Sequence, residues 1–153
     1  MIRRNRANLS SLFLLELILA ILFFSIASAV CVQFFVKSHL LSQDARKLNT
    51  SVSEVSSIAE LIEISQDVQS ALDLIQTEYP DSEISSTSKA SVYYDKDFLP
   101  CAQSKAFYCL EVNFTQEGSM LDAALVMKEQ TSGKAIYSLA ISHHLQRRTG
   151  NGE

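Results

Sequence analysis

The sequence predicts an α+β chain: a long N-terminal helix, half membrane-spanning and half amphipathic, packed on a small antiparallel β-sheet of about four strands. Three observations carry that expectation. An apolar run from Leu12 to Val36 holds no Pro or Gly, and only Glu16 and Gln33 are strongly polar in it. The stretch from there to Pro80 repeats apolar or small residues at steps of three and four. Beyond Ser91 the apolar period falls to two and turn residues recur.

The first element is a basic leader, residues 1–11, with Arg3, Arg4 and Arg6 and no acid. Residues 12–36 form the transmembrane helix. At 1.5 Å per residue they reach about 37 Å, enough to cross a hydrocarbon core with some tilt. "SIASA" at Ser25–Ala29 imitates a signal-peptidase site, but the apolar run continues past it to Val36, which argues for retention of the span. The arginines ahead of the span outnumber the nearest basic residue after it, Lys37. The expected topology is therefore single-pass in the cell membrane, N-terminus cytoplasmic and residues 37–153 extracytoplasmic.

Residues 37–78 are expected to be an amphipathic helical segment. One stripe runs through Leu41, Ala45, Leu48, Val52, Val55, Ala59 and Ile62, and a neighbouring one through Leu61, Ile64, Val68, Leu72 and Ile75. "NTS" at Asn49–Ser51 is the weakest helical point, so a bend or restart is expected there, with a second helical piece near 66–78. A coiled-coil stalk is the alternative, but the stripe lacks sustained a/d residues and a strand-rich segment follows. Residues 79–91 read as a serine-rich loop and 92–145 as the antiparallel sheet. In the sheet Tyr108, Leu110, Val112 and Phe114 share a face, as do Leu121, Ala123, Leu125 and Met127, and then Tyr137, Leu139 and Ile141. Gly118 and Gly133 mark the turns of a meander. The tail, 146–153, is expected to be flexible.

Chemistry-bearing motifs are few. No P-loop, GxSxG, HExxH or dinucleotide fingerprint occurs, and no enzyme, cofactor or metal is expected. His143 and His144 are adjacent on a strand and point to opposite faces. Asp95 and Asp97 lack the EF-hand pattern and read as solvated. Asn49–Ser51 and Asn113–Thr115 fit a glycosylation sequon, a pattern common by chance. Sixteen of the 17 acids and ten of the 13 basic residues lie beyond Val36, an acidic balance that argues against nucleic acid as a partner. Cys101 and Cys109 flank "AQSKAFY", and in an oxidising compartment a disulfide between them is expected. Cys31 reads as an apolar residue of the span.

The start of the span is the most specific feature. An Arg-rich leader, a small residue and then "LFLLELILAIL" resemble the processing signal of type IV pilins and type II secretion pseudopilins. In that family a prepilin peptidase cuts after a small residue, usually Gly, and a Glu stands fifth in the mature chain. The resemblance implies cleavage between Ser11 and Leu12, with Glu16 as the fifth residue and the assembly residue. Ser11 stands where Gly is usual, Leu12 where Phe or Met is common, and the Pro or Gly that loosens many such helices midway is missing. A divergent or minor prepilin fits those departures.

What the resemblance implies is a pilin-like fold and a structural subunit inserted as a bitopic precursor. It would be cleaved, subject to the family's methylation of the new N-terminus, and assembled through its N-terminal helix into a pilus or pseudopilus. The implied partners are the membrane, the prepilin peptidase, other pilin-like subunits, a platform protein and an assembly ATPase. Two other readings stand beside it: an uncleaved signal-anchored extracytoplasmic binding or sensor domain, and an envelope-complex component whose helix 38–78 pairs with a partner helix. In both, Glu16 is a residue at the membrane edge that reaches towards headgroups.

Overall fold

A computed structural model describes residues 6–145. Arg3, Arg4 and the tail 146–153 lie outside the described residues. The chain divides into two compact units, Met1–Ala45 and Arg46–Glu153. The class is α+β, as expected, with five strands where about four were expected.

Helix α1 runs Arg6–Glu63 without a break. In the first unit it is long and apolar enough to cross a membrane: an 18-residue window reaches a mean hydropathy of 2.5. Its large apolar side chains are exposed on every side, from Leu12 to Val36. The hydroxyl of Ser25 donates to the carbonyl of Ile21 at 2.8 Å, so this polar group is satisfied inside the apolar run.

The second unit is built on the distal part of α1. The expected bend at Asn49–Ser51 is absent. Ser51 is fully buried, and packing along this turn outweighs its modest helix propensity. The face that packs is Ser51, Val55, Ile58, Ala59 and Ile62. The expected stripe is therefore right from Val55 onward and wrong earlier, where Leu48 remains exposed.

The helix stops at Glu63. Ser65 donates both its backbone N–H and its hydroxyl to the carbonyl of Ile62, at 3.1 and 2.6 Å, which turns the chain. Asp67 then caps α2, Val68–Glu78. Its carboxylate accepts from the Ser70 N–H at 2.7 Å, and the Ser70 hydroxyl accepts from the Asp67 N–H at 3.0 Å. This reciprocal cap holds Asp67 below the usual carboxylate range, chiefly through the Ser70 N–H. Ala71, Leu72 and Ile75 are the buried face.

The sheet is an antiparallel meander in the order β1-β2-β3-β4-β5: Glu83–Ser86, Lys89–Tyr94, Tyr108–Glu117, Met120–Glu129 and Ala135–His144. The fifth strand comes from the serine-rich segment expected to be a loop. "EISS" has little strand propensity, but a two-residue connection at Thr87–Ser88 folds it back onto β2. Gly118, at φ 63, takes the first position of the two-residue β3–β4 turn, where a side chain would be strained. Strand faces follow the predicted alternation: Tyr108, Leu110, Val112 and Phe114 are buried together, as are Leu121, Ala123, Leu125 and Met127. They form one core with Val55, Ile58 and Ile62 of α1 and Leu72 and Ile75 of α2, so both helical pieces cover one face of the sheet. Tyr137, Leu139 and Ile141 of the edge strand are half-buried against it.

Candidate functional site

Ser11, Leu12 and Glu16 all lie on α1 and are exposed. Glu16 follows Leu12 by four residues, about one helical turn and 6 Å along the axis, on the same helix face. Among the described residues no ion pair includes Glu16. A lone carboxylate on an apolar cylinder is tolerable at the edge of a hydrocarbon layer. It becomes favourable only where a donor or cation from another molecule reaches it. The bond between Ser11 and Leu12 lies inside the helix, five residues from its start at Arg6.

The second group of candidate residues sits at the β2–β3 end of the sheet. The expected Cys101–Cys109 disulfide is not formed; both thiols are free. The reason is the position of β2. Cys109 pairs with Tyr93 from the β3 side. Pro100 bridges Tyr94 on β2's opposite edge, and the Cys101 N–H donates to the Tyr93 carbonyl at 2.9 Å. The two cysteines thus flank Tyr93, separated by two strand spacings, about 9.5 Å between backbones. A disulfide needs Cα atoms within about 7 Å. Closeness in sequence does not bring them together because the loop between them wraps around the end of β2.

Tyr93 lies between the two cysteines in the sheet. Its hydroxyl donates to Glu83 Oε2 at 2.8 Å and accepts from Gln103 Nε2 at 3.0 Å. Burial, with the Glu83 carboxylate beside it, pushes this phenol up to about 12. Burial also pushes the Cys109 thiol up to about 11, with Glu111 adding to the effect, and raises that of Cys101. Neither is poised as a nucleophile, since the thiolate is the reactive form.

The loop from Asp95 to Phe107 is held by its first residue. Asp95 Oδ1 accepts from the N–H groups of Asp97 and Leu99, at 2.8 and 3.0 Å. Its carboxylate thus organises backbone instead of remaining free in solvent as the sequence suggested. The turn puts Phe98 at φ 59, a conformation that costs a bulky residue about 1 kcal/mol or more. Packing offsets the cost: Phe98 is buried and stacks on Tyr108, ring centroids 4.2 Å apart and planes 13° from parallel. Tyr94 lies beside both Phe98 and Tyr79. Sequence reasoning missed this aromatic cluster. The available signal was an Asp opening "DKDFLP", an Asx-turn start followed by an aromatic residue.

His143 and His144 face opposite ways, as the strand requires, and His144 meets the Ser119 hydroxyl at 3.2 Å. Among the described residues no group of three or more His, Cys, Asp or Glu is arranged to hold a metal ion. Comparison with known proteins finds no matching family model, no matching curated protein and no matching solved structure. What stands is a helix able to cross a membrane and a long helix packed on an antiparallel sheet, an arrangement compatible with the pilin-like order of elements.

Proposed function

We propose that this chain is a pilin-like structural subunit, a divergent or minor prepilin of a type IV pilus or type II secretion-like system. It is inserted as a bitopic precursor with its C-terminal domain extracytoplasmic. A prepilin peptidase cuts it between Ser11 and Leu12, and it assembles through its N-terminal helix. The carrying observation is the spacing of Glu16 from the Ser11–Leu12 bond at the head of an uninterrupted apolar helix. Cleavage exposes an α-amino group at Leu12. A neighbouring subunit's amine, staggered by about one turn, offsets the cost of Glu16 in the apolar layer and sets the register between helices. Other pilin-like subunits, a platform protein and an assembly ATPase are its partners in this reading.

One observation favours a second reading, an uncleaved signal-anchored binding or sensor domain. Helix α1 is continuous through Ser11–Leu12, so a peptidase must first unwind that turn. Co-expression with a prepilin peptidase, followed by N-terminal sequencing of the membrane-bound product, separates the two. A start at Leu12, lost in Ser11→Trp, is expected for the subunit. An intact leader, under conditions in which a known prepilin is trimmed, rejects it in favour of the anchor.

A further inference from the structure

The two edges of the sheet differ in chemistry. The β1 edge is short, four residues, with a register shift between Ile84 and Ser86, and beyond it Pro100 bridges Tyr94. Short strands, irregular register and proline are the usual means of keeping an edge from pairing with another chain. The β5 edge has none of them over most of its length. Ala135–His144 spans ten residues with no Pro, Lys, Arg, Asp or Glu, and it is regular from Tyr137 onward. Among the described residues no strand pairs with its outer side.

We propose that β5 pairs antiparallel with β5 of a second copy of this chain, about a two-fold axis at Leu139. The inference stands independently of the pilin-like reading. The Leu145 N–H donates to the Ser119 carbonyl at the head of β4. Along the ladder, odd-numbered residues of β5 therefore bond inward to β4, and Ser138, Ala140 and Ser142 turn their N–H and C=O groups outward. Centring the pair on Leu139 sets Ser138 against Ala140 on both sides of the axis, so outward groups meet outward groups. On the face shared with the core, Leu139 meets Leu139 and Tyr137 meets Ile141, an aromatic against a β-branched residue, a favourable cross-strand pair. These side chains are half-buried at the edge of the core, and the second copy completes their cover. Within the strand no Lys, Arg, Asp or Glu opposes another. The strand is self-complementary, and a second copy is the partner it fits. A two-fold pair is closed, so it describes subunits that have not entered an open array.

The test uses the full-length chain in detergent micelles, with mass measured by light scattering over a micromolar dilution series. Wild type is expected to dimerise. Ala140→Pro removes one outward N–H without touching the β4–β5 bonds, and Ser138→Lys places a charge on the seam. Each is expected to weaken the dimer at least about tenfold while the circular dichroism spectrum stays unchanged. In a chain already carrying Cys31→Ser, Cys101→Ser and Cys109→Ala, the substitution Leu139→Cys is expected to cross-link one copy to another. A wild type that stays monomeric overturns the proposal. So does a dimer that survives both edge variants, which must be held elsewhere, or a Leu139→Cys chain that cross-links only to a different protein.

Discussion

Two stretches of the same helix, Leu12–Val36 and Ser51–Ile62, solve the problem of apolar surface in opposite ways. The first exposes large apolar side chains all round: Phe24 is 74% and Phe35 77% exposed. The second buries one stripe completely, with Val55, Ile58 and Ile62 at 0% exposure, and leaves polar residues such as Ser57 and Glu60 exposed on its other sides. The first must be given an apolar medium. The second carries its own in the form of a sheet. Continuous helical backbone is compatible with both because its hydrogen bonds are internal and indifferent to what surrounds them.

Truncating a side chain on each stretch is the strongest way to break this comparison. Ile58→Ala removes a fully buried side chain from the helix–sheet core and is expected to destabilise the second unit by about 3 kcal/mol. Ile26→Ala, in the apolar run, is expected to leave that unit's unfolding midpoint unchanged. Urea titration in micelles, read by tyrosine fluorescence, measures both. A shift of similar size from Ile26→Ala would mean that the two stretches share one folding unit.

Much of the sheet was legible because alternation at period two depends only on which face is buried. Leu110, Val112, Leu121 and Leu125 follow it closely. Strand β1 was not legible. Its four residues carry one apolar side chain, Ile84, and they are a strand because a tight turn delivers them to β2. The buried face of α1 was half legible for a related reason. Periodicity marks apolar residues, whereas the buried face also includes a small polar one, Ser51. The cysteines show the limit of spacing arguments. Only the wrap of the loop around β2 decides that Tyr93 lies between them. At the head of the span, the pattern of Ser11, Leu12 and Glu16 was fully legible, and the structure adds only that all three lie on α1 and are exposed.

The junction between the helical pieces gives a smaller effect. Asp67→Ala removes the reciprocal cap of α2 and is expected to cost about 1 kcal/mol in the same titration. The pH dependence has a definite sign. The folded state depresses the Asp67 pKa, so its contribution is present above the unfolded carboxylate value, about 4, and is lost as pH falls through the folded one. The carboxylate is almost fully solvated, so the charge-dependent part is a fraction of that energy. The gap between wild type and Asp67→Ala should therefore narrow in acid without closing. Parallel curves down to about pH 2 would show that the cap does not depend on the charge of Asp67.

The smallest expected effect lies in the best-buried aromatic. Tyr94 is 0% exposed, and its hydroxyl has no hydrogen-bond partner among the described residues. Burial, and then the neighbouring Tyr79 and Glu54, raise its pKa far above the ordinary tyrosine value. Tyr94→Phe keeps the ring contacts to Tyr79 and Phe98 and removes an unpaired polar atom. At pH 7 it is expected to be neutral or stabilising by up to about 1 kcal/mol, since an unmade buried hydrogen bond is a cost. The sign with pH follows from linkage. A folded-state pKa raised above the unfolded value gives stability that is full below about pH 10 and falls as pH rises beyond it. Wild type should therefore lose stability above about pH 10 more steeply than Tyr94→Phe. A loss of more than about 1 kcal/mol at pH 7 would instead show that the hydroxyl is paired, through a water held between Tyr79 and Glu54, and that the core under the strained Phe98 turn is polar at its centre.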